Sequence, residues 1–484
     1  MLSRPFPDFG PMLENLTAAG FDEPALRQLL HLDDLCDILQ AVEPAYPYFC
    51  RLQPGPLSEA ALLWLLHQVV PGPFLTELAG NREAIVWMLE NKFFRVLGPG
   101  RIDANVDLSP CERFFFFHDR RYSTGPVPDR VYELGADSYA LARLTPRKKG
   151  ASGLDLCTGS GLHAVMAAAD HERVVGVDLN PKALEFSRLN AHVNGLAERC
   201  EFVSGDLYEP VRGQTFDLIT INPPFVSTPD ESMEIHRTGG ETGEEISRRA
   251  VAELPNYLRP GGTFAKVLTY PVMASSTYLE RLSAWLGANR SPLEGGGVQG
   301  WGIAVLNFRF ETIQHYIHSH GGAEALTFRR YLESYERLGI QKIGCAVVLI
   351  RRLRAAHPGF CVEHRLAFPR QDRCAAVEAY LVAQETYANP DWEPDPGWCP
   401  ERNHETGLLW RSRKGDEGRL EPRPGALANP LSLGKRELRM LDRLDGRTTA
   451  AQLAARGVSA GEVRAFLANL GRNLYLAPQG SLKP

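Results

Sequence analysis

Apolar residues recur at helical spacing through the early part of the chain and then give way to short continuous apolar runs, the change expected where amphipathic helices lead into buried strands. Leu26, Leu29, Leu30, Leu32, Leu35, Ile38 and Leu39 make one helical stripe. Ser58-Glu59-Ala60-Ala61-Leu62-Leu63-Trp64 opens a second helix with Ser58 at its N-cap, and Asn81 to Asn91 makes a third. Phe93 to Val106 alternates like a small hairpin broken at Gly98-Pro99-Gly100. Helices followed by a hairpin predict a mainly helical, winged-helix-like N-terminal domain over residues 1–112.

Further on, Phe114-Phe115-Phe116-Phe117 reads as a buried strand, and Leu134 to Arg143 as the helix that enters an α/β unit. Asp137 and Ser138 near its start are candidates either to touch a cofactor or to cap the helix. Strand and helix then alternate as a doubly wound sheet requires. The strands are Gly153–Cys157, Val174–Asp178, Cys200–Val203, Leu218–Ile221 and Gly262–Thr269; the helices are Leu162–Ala169, Pro181–Asn194, Gly243–Leu258 and Ser275–Leu286. Gly302–Phe310 and Ile343–Arg351 predict two late strands flanking a helix around Phe328–Leu338, so this domain runs from residue 113 to about 355. Residues 356–484 follow as a small α+β extension. It holds a proline-rich crossing from Pro390 to Pro400 and helical patterning from Lys435 to Ala468, again in a winged-helix-like manner.

A chain of 484 residues with 44% hydrophobic and 23% charged content is an ordinary globular protein of several domains. The net charge of -5 supplies no bulk attraction to a phosphate backbone, which disfavours a nucleic-acid partner. Nine scattered cysteines, without a C-x-x-C pair or a Cys/His cluster, read as reduced thiols and not as a metal site. Cys157 falls in this class as a small packing residue. With no secretory leader pattern and no long apolar span, the expected location is cytoplasmic, away from membranes.

The candidate chemistry lies between Gly153 and Phe225. Leu154-Asp155-Leu156-Cys157-Thr158-Gly159-Ser160-Gly161-Leu162 is a strand breaking into a glycine turn that opens a helix. Such a turn lets backbone approach a ligand closely, at the carboxyl edge where open α/β sheets bind. A second strand ends in Asp178, 23 positions after Asp155, where a carboxylate can accept hydrogen bonds from both hydroxyls of a ribose. A third ends at Asp206-Leu207 and a fourth at Asn222-Pro223-Pro224-Phe225. The two prolines lock the backbone, remove two amide donors and leave carbonyls pointing into the site. A planar NH₂ group can then donate to the Asn222 side-chain oxygen and to the Pro223 carbonyl while Phe225 stacks on its plane; alternatively, Asn-Pro-Pro is only a strand-ending turn.

In this order and spacing the motifs resemble class I S-adenosylmethionine (SAM) methyltransferases with an N-P-P-F motif, in particular the release-factor glutamine N-methyltransferase-like family. A larger bacterial group of that kind carries extra N- and C-terminal domains and an L-G-x-D-S-x-A-L entry helix, matched here by Leu134 to Leu141. The resemblance implies a Rossmann-like doubly wound sheet with a reversed late hairpin at its edge. It places Asp155, Gly159 and Gly161 at the methionine-binding turn, Asp178 at the ribose and Asp206 at the adenine amino group. Thr158, Leu179, Leu207 and Asn222 complete the cofactor-binding set, and Asn222, Pro223, Pro224 and Phe225 hold the acceptor. In the charged loop His236 to Glu244, the residues Arg237, Glu241 and Glu244 either contact a polar substrate or belong to a solvated loop. The implied function is SAM-dependent methylation of a planar amine or amide nitrogen, on a small molecule or a protein side chain. A specialised-metabolite methyltransferase, a nucleic-acid base methyltransferase and a non-catalytic SAM-binding module are the alternatives.

Overall fold

The computed structural model describes residues 2–39, 45–98, 100–120, 129–147, 149–229, 238–287, 297–321, 325–404, 406–411, 417–423, 426–454 and 458–477. Its centre is an eight-stranded sheet. In chain order the strands are β1 (Gly150–Leu156), β2 (His171–Asp178), β3 (Cys200–Ser204), β4 (Phe216–Ile221), β5 (Leu258–Met273), β6 (Trp301–Thr312), β7 (Ile340–Arg352) and β8 (Phe360–Arg365). Their spatial order is β8-β6-β7-β5-β4-β1-β2-β3. The strands from β3 to β5 run parallel, β7 lies antiparallel between β5 and β6, and β8 pairs parallel with β6. The reversed late edge expected from the sequence is therefore present, with one further strand outside it.

Helices Leu162–Ala168 and Pro181–Val193 return the chain between the first three strands, as right-handed crossovers of parallel strands demand. On one face, Leu141 and Leu144 of the entry helix Ala136–Leu144 pack with Ala265, Val267, Val347 and Leu349 of the sheet and with Val377 and Leu381 of the helix Cys374–Ala388. On the other face, Ala250, Val251, Leu254 and Leu282 cover Leu154, Ile219, Ile221 and Phe264.

The N-terminal stripe does not form one helix. Glu23–Leu30 ends at His31, whose φ of 54° is left-handed, and a 3-10 turn over Leu35–Leu39 takes up the remaining apolar positions. The second expected helix starts earlier than predicted, at Pro56 with Gly55 as N-cap. Ser58 is buried inside its first turn and donates to the Gln53 carbonyl, because proline at the first position already satisfies the helix start. The third helix keeps its predicted bounds, with the Asn81 side chain accepting from the Ala84 amide. Phe94–Val96 and Arg101–Ala104 pair as the expected hairpin, and Pro99 at its tip lies outside the described residues.

Phe114–Asp119 pairs with Val106–Cys111, and its four phenylalanines are buried. Its outer edge is matched by two asparagines of the crossover helix region: Asn190 exchanges two hydrogen bonds of 2.8 Å with the Phe117 backbone, and Asn194 does the same for Phe115 at 3.0 and 2.8 Å. Side chains thus stand in for a missing strand and satisfy a buried sheet edge. One continuous apolar cluster runs from Phe9 and Trp64 through Phe117 to Val165 and Leu189, so the helical module and the sheet share a core. The C-terminal unit has its own cluster around Leu438, Leu453, Phe466 and Leu470, beside the three-stranded sheet Gly407–Arg411, Glu417–Pro422 and Leu431–Gly434.

Candidate active site

The pairing of Leu156 with Ile221 sets the ends of β1 and β4 side by side, so the glycine turn after β1 and Asn222 after β4 face the same carboxyl edge. Asp155 is 1% exposed and builds that turn. One carboxylate oxygen accepts from Thr158 Oγ1 at 2.6 Å and from the Ala164 amide at 3.2 Å; the other accepts from Thr220 Oγ1 at 2.7 Å, tying β1 to β4. Burial raises its pKa to about 7 against the pull of these bonds. Gly161 has φ of 82°, and a Cβ there would lie 3.0 Å from Ser187, so only glycine lets the two crossover helices meet at this distance. At Gly159 the nearest atom to such a Cβ is a carbonyl oxygen at 4.0 Å, which leaves room above the turn.

Asp178, at the end of β2, accepts from the Gly159 and Asn180 amides, each at 2.8 Å. Each carboxylate oxygen has a second lone pair, so the group retains capacity for ligand hydroxyls. Leu179 beside it is 62% exposed, an apolar surface on which a planar base can lie. Asp206, after β3, pairs with Arg249 at 2.6 Å, while Leu207 is buried with a left-handed φ of 49°. Cys157 sits among Asp178, Asp155 and Asp206; burial, then these carboxylates, push its thiol far up. An open glycine turn ringed by carboxylates fits adenosine hydroxyls and a positively charged sulfonium, and Asp178 and the backbone at Gly159 would hold SAM there.

At the acceptor side, Asn222 is half-buried and its Nδ2 donates to Asp137 Oδ2 at 2.6 Å. Asp137, in the first turn of the entry helix, meets the backbone amides of Asp137 and Ser138 there and also accepts from Asn222, a partner the sequence did not suggest. Ser138 Oγ lies 3.5 Å from the same nitrogen. Pro223 is buried, and Pro224 and Phe225 are partly exposed. The Phe225 carbonyl accepts from Thr269 Oγ1 at 3.4 Å. A Cβ on Gly243 would come 2.5 Å from that carbonyl, so the glycine-rich loop passes directly against the motif.

The two described loop glutamates differ in their surroundings. Glu244 is buried and accepts from Arg281 at 2.9 Å, while Glu241 binds Arg337 and accepts from Ser334 Oγ at 2.9 Å. Glu244 is thus paired inside the protein and Glu241 at its surface; Arg237 lies outside the described residues. Sequence reasoning missed the tyrosines of the helical hairpin Ile313–Gly321 and Ala325–Leu338. Tyr335 donates to the Ser227 carbonyl at 2.8 Å, Tyr331 shares a 2.7 Å bond with Thr228, and Tyr316 accepts from the Ser227 amide at 3.3 Å. Their helical spacing was legible, but the segment they hold lies about a hundred residues away.

No helix among the described residues is long and apolar enough to cross a membrane. Residues 133–288 match the methyltransferase small domain. A protein of Methanocaldococcus jannaschii assigned as a protein N5-glutamine methyltransferase is 37% identical over 138 residues, which cover 27% of this chain and 68% of that protein. A ribosomal protein uL3 glutamine methyltransferase of Bradyrhizobium diazoefficiens is 37% identical over 120 residues, 22% of this chain and 38% of the relative. A release factor glutamine methyltransferase of Geobacter sulfurreducens is 38% identical over 121 residues, 22% of this chain and 42% of the relative. The chain thus spans less than half the length of the last two relatives. Through this shared core, whose glycine turn and acidic strand ends suit the cofactor, the chain belongs to the methyltransferase small domain family of SAM-dependent methyltransferases.

Proposed function

We propose that this enzyme methylates a planar nitrogen that still carries hydrogens, foremost the carboxamide of a protein side chain, with Asn222, Pro223, Pro224 and Phe225 as the acceptor site. The observation that carries the reading is the register of β1 and β4, which brings Asn222 beside the cofactor turn. Asn222 Oδ1 has no hydrogen-bond partner among the described residues and is available to accept from an incoming N–H. The Pro223 carbonyl supplies a second acceptor, and Phe225 a partly exposed ring for the plane of the amide. When bound, SAM supplies a methyl group on a positively charged sulfur. The nitrogen lone pair forms the new N–C bond as the C–S bond breaks, the sulfur keeps that electron pair, and the nitrogen gives one proton to solvent. The residues contribute by holding the nitrogen in line, an effect of positioning. The relatives named for glutamine methylation support the carboxamide class.

Asn222→Ala tests this reading. SAM affinity measured by titration calorimetry should stay near wild type, while methyl transfer falls by a factor on the order of 100 or more, since the lost contacts act on the acceptor. Mass spectrometry of the product should place the methyl on nitrogen. A methyl found on oxygen or carbon, or undiminished turnover without Asn222, would discard the acceptor assignment and leave the cofactor site standing.

A further inference from the structure

An asparagine amide can present either its oxygen or its NH₂ to a substrate, and the two ends recognise opposite partners. In this site the neighbour of the amide decides. Asp137 Oδ2 lies 2.6 Å from the Asn222 amide, and an ionised carboxylate only accepts hydrogen bonds, so the atom facing it is the nitrogen. Asp137 is itself held: its Oδ1 accepts from the Tyr132 hydroxyl at 3.2 Å, and it is anchored on the first turn of the entry helix. We propose that Asp137 is a positioning residue that fixes the Asn222 side chain with its NH₂ inward and its oxygen toward the acceptor, so that the site takes a nitrogen carrying hydrogens and turns away a carboxylate. This rests on the role given to Asn222 above and adds what sets its polarity.

The consequence follows from charge. Were Asp137 protonated, its hydroxyl could donate to Asn222 Oδ1, and the amide would turn its NH₂ to the substrate. The groups facing Asp137 are the Asn222 amide, the backbone amides of Asp137 and Ser138 at the helix start, and the Tyr132 phenol, the last being the titratable one among these. Burial raises the pKa of Asp137, with the hydrogen bond from Asn222 the first force opposing it. The switch from ordered to turned amide is therefore displaced upward from the value of an ordinary aspartate.

The test uses the full chain with asparagine side chains labelled by ¹⁵N, the Asn222 NH₂ pair being identified by its loss in Asn222→Ala. In wild type one proton of the pair should be shifted strongly downfield at neutral pH, and the shift should collapse as pH falls. In Asp137→Leu the shift should be absent at every pH. In Asp137→Asn, whose oxygen can still accept, it should persist without titrating. Methyl transfer from labelled SAM into a short peptide with one glutamine should fall about 100-fold in kcat for Asp137→Leu and recover to within about tenfold in Asp137→Asn, with SAM affinity unchanged in both. An Asn222 signal indifferent to Asp137→Leu would overturn the proposal. So would full turnover by Asp137→Leu while Asn222→Ala is inactive. Full turnover by Asn222→Ala would overturn the acceptor assignment itself.

Discussion

Lys266 is fully buried on β5 and its amine has no hydrogen-bond partner in the described structure. The rings of Tyr278 and Trp285, 5.4 and 5.3 Å from Nζ, return only part of the hydration it has lost. Burial lowers its pKa from 10.5 to about 7, opposed by Glu244. Between those values the unfolded chain binds the extra proton, so this group makes stability rise with pH over that window. Lys266→Met should accordingly be more stable than wild type at neutral pH. The gap should narrow by at most about 1.4 kcal/mol per pH unit as pH climbs from about 7 towards 10.5, measured by denaturant titration at several pH values. A gap independent of pH would mean that the amine stays charged in the fold. Asp178 makes a second prediction. Its carboxylate accepts from the Gly159 amide; if it also takes the ribose hydroxyls, as the resemblance implies, Asp178→Ala should weaken SAM binding by roughly 1.5–3 kcal/mol for each hydrogen bond lost, read by calorimetry.

The entry helix Ala136–Leu144 joins two tasks. Its first turn carries Asp137 to Asn222, and its last turn carries the fully buried Arg143 into a ring of acceptors. That guanidinium donates to Asp34 and to the Pro369 carbonyl at 2.7 and 2.8 Å, binds Glu23, and lies 3.9 Å from Glu112. N-terminal helices, the phenylalanine hairpin and the segment after β8 are therefore fastened through one side chain. Arg143→Met should destabilise the protein by about 3–5 kcal/mol, because Glu23 and Asp34 would be left buried without their cation. A change below about 1 kcal/mol in chemical unfolding would show that water reaches these carboxylates. The tyrosine-bearing hairpin between β6 and β7 does for the segment after Asn222 what the entry helix does for Asn222 itself. Both hold the segment that begins at Asn222 from outside the strand that precedes it.

Across the molecule the two flanking units differ in how they are joined to the sheet. Phe93 stacks on Phe186 of a crossover helix with ring centroids 6.1 Å apart, and Phe9 meets Phe117 at 6.3 Å, inside a single core. Removal of residues 2–120 would expose that apolar surface, and the remaining chain should be insoluble or unfolded. The C-terminal unit closes its own core and meets the sheet domain chiefly where the helix Ala460–Arg472 packs on Cys374–Ala388. A chain ending at residue 389 should therefore stay folded and keep SAM affinity within about threefold, checked by calorimetry and by the rise in melting temperature that a ligand of the native state confers. Loss of binding in that shortened chain would place part of the cofactor site in the C-terminal unit.

The alternation of strand and helix, the glycine turn, the acidic strand ends and Asn-Pro-Pro-Phe were all legible along the chain, because each is a local pattern imposed by backbone geometry: period, turn chemistry and the lost amides of proline. Helix bounds failed where a local cue was ambiguous, as at His31 and Ser58, and packing settled them. The partners of Asn222, Glu241 and Glu244 carried no local signal. Asp137 and Asn222 are 85 positions apart, and Ser227 and Tyr335 are 108 apart. Which end of an amide faces a substrate, and which glutamate is free to meet one, depends on charges brought within 3 Å by the closing of the sheet. Only the tertiary structure creates those distances, and with them the polarity of the site.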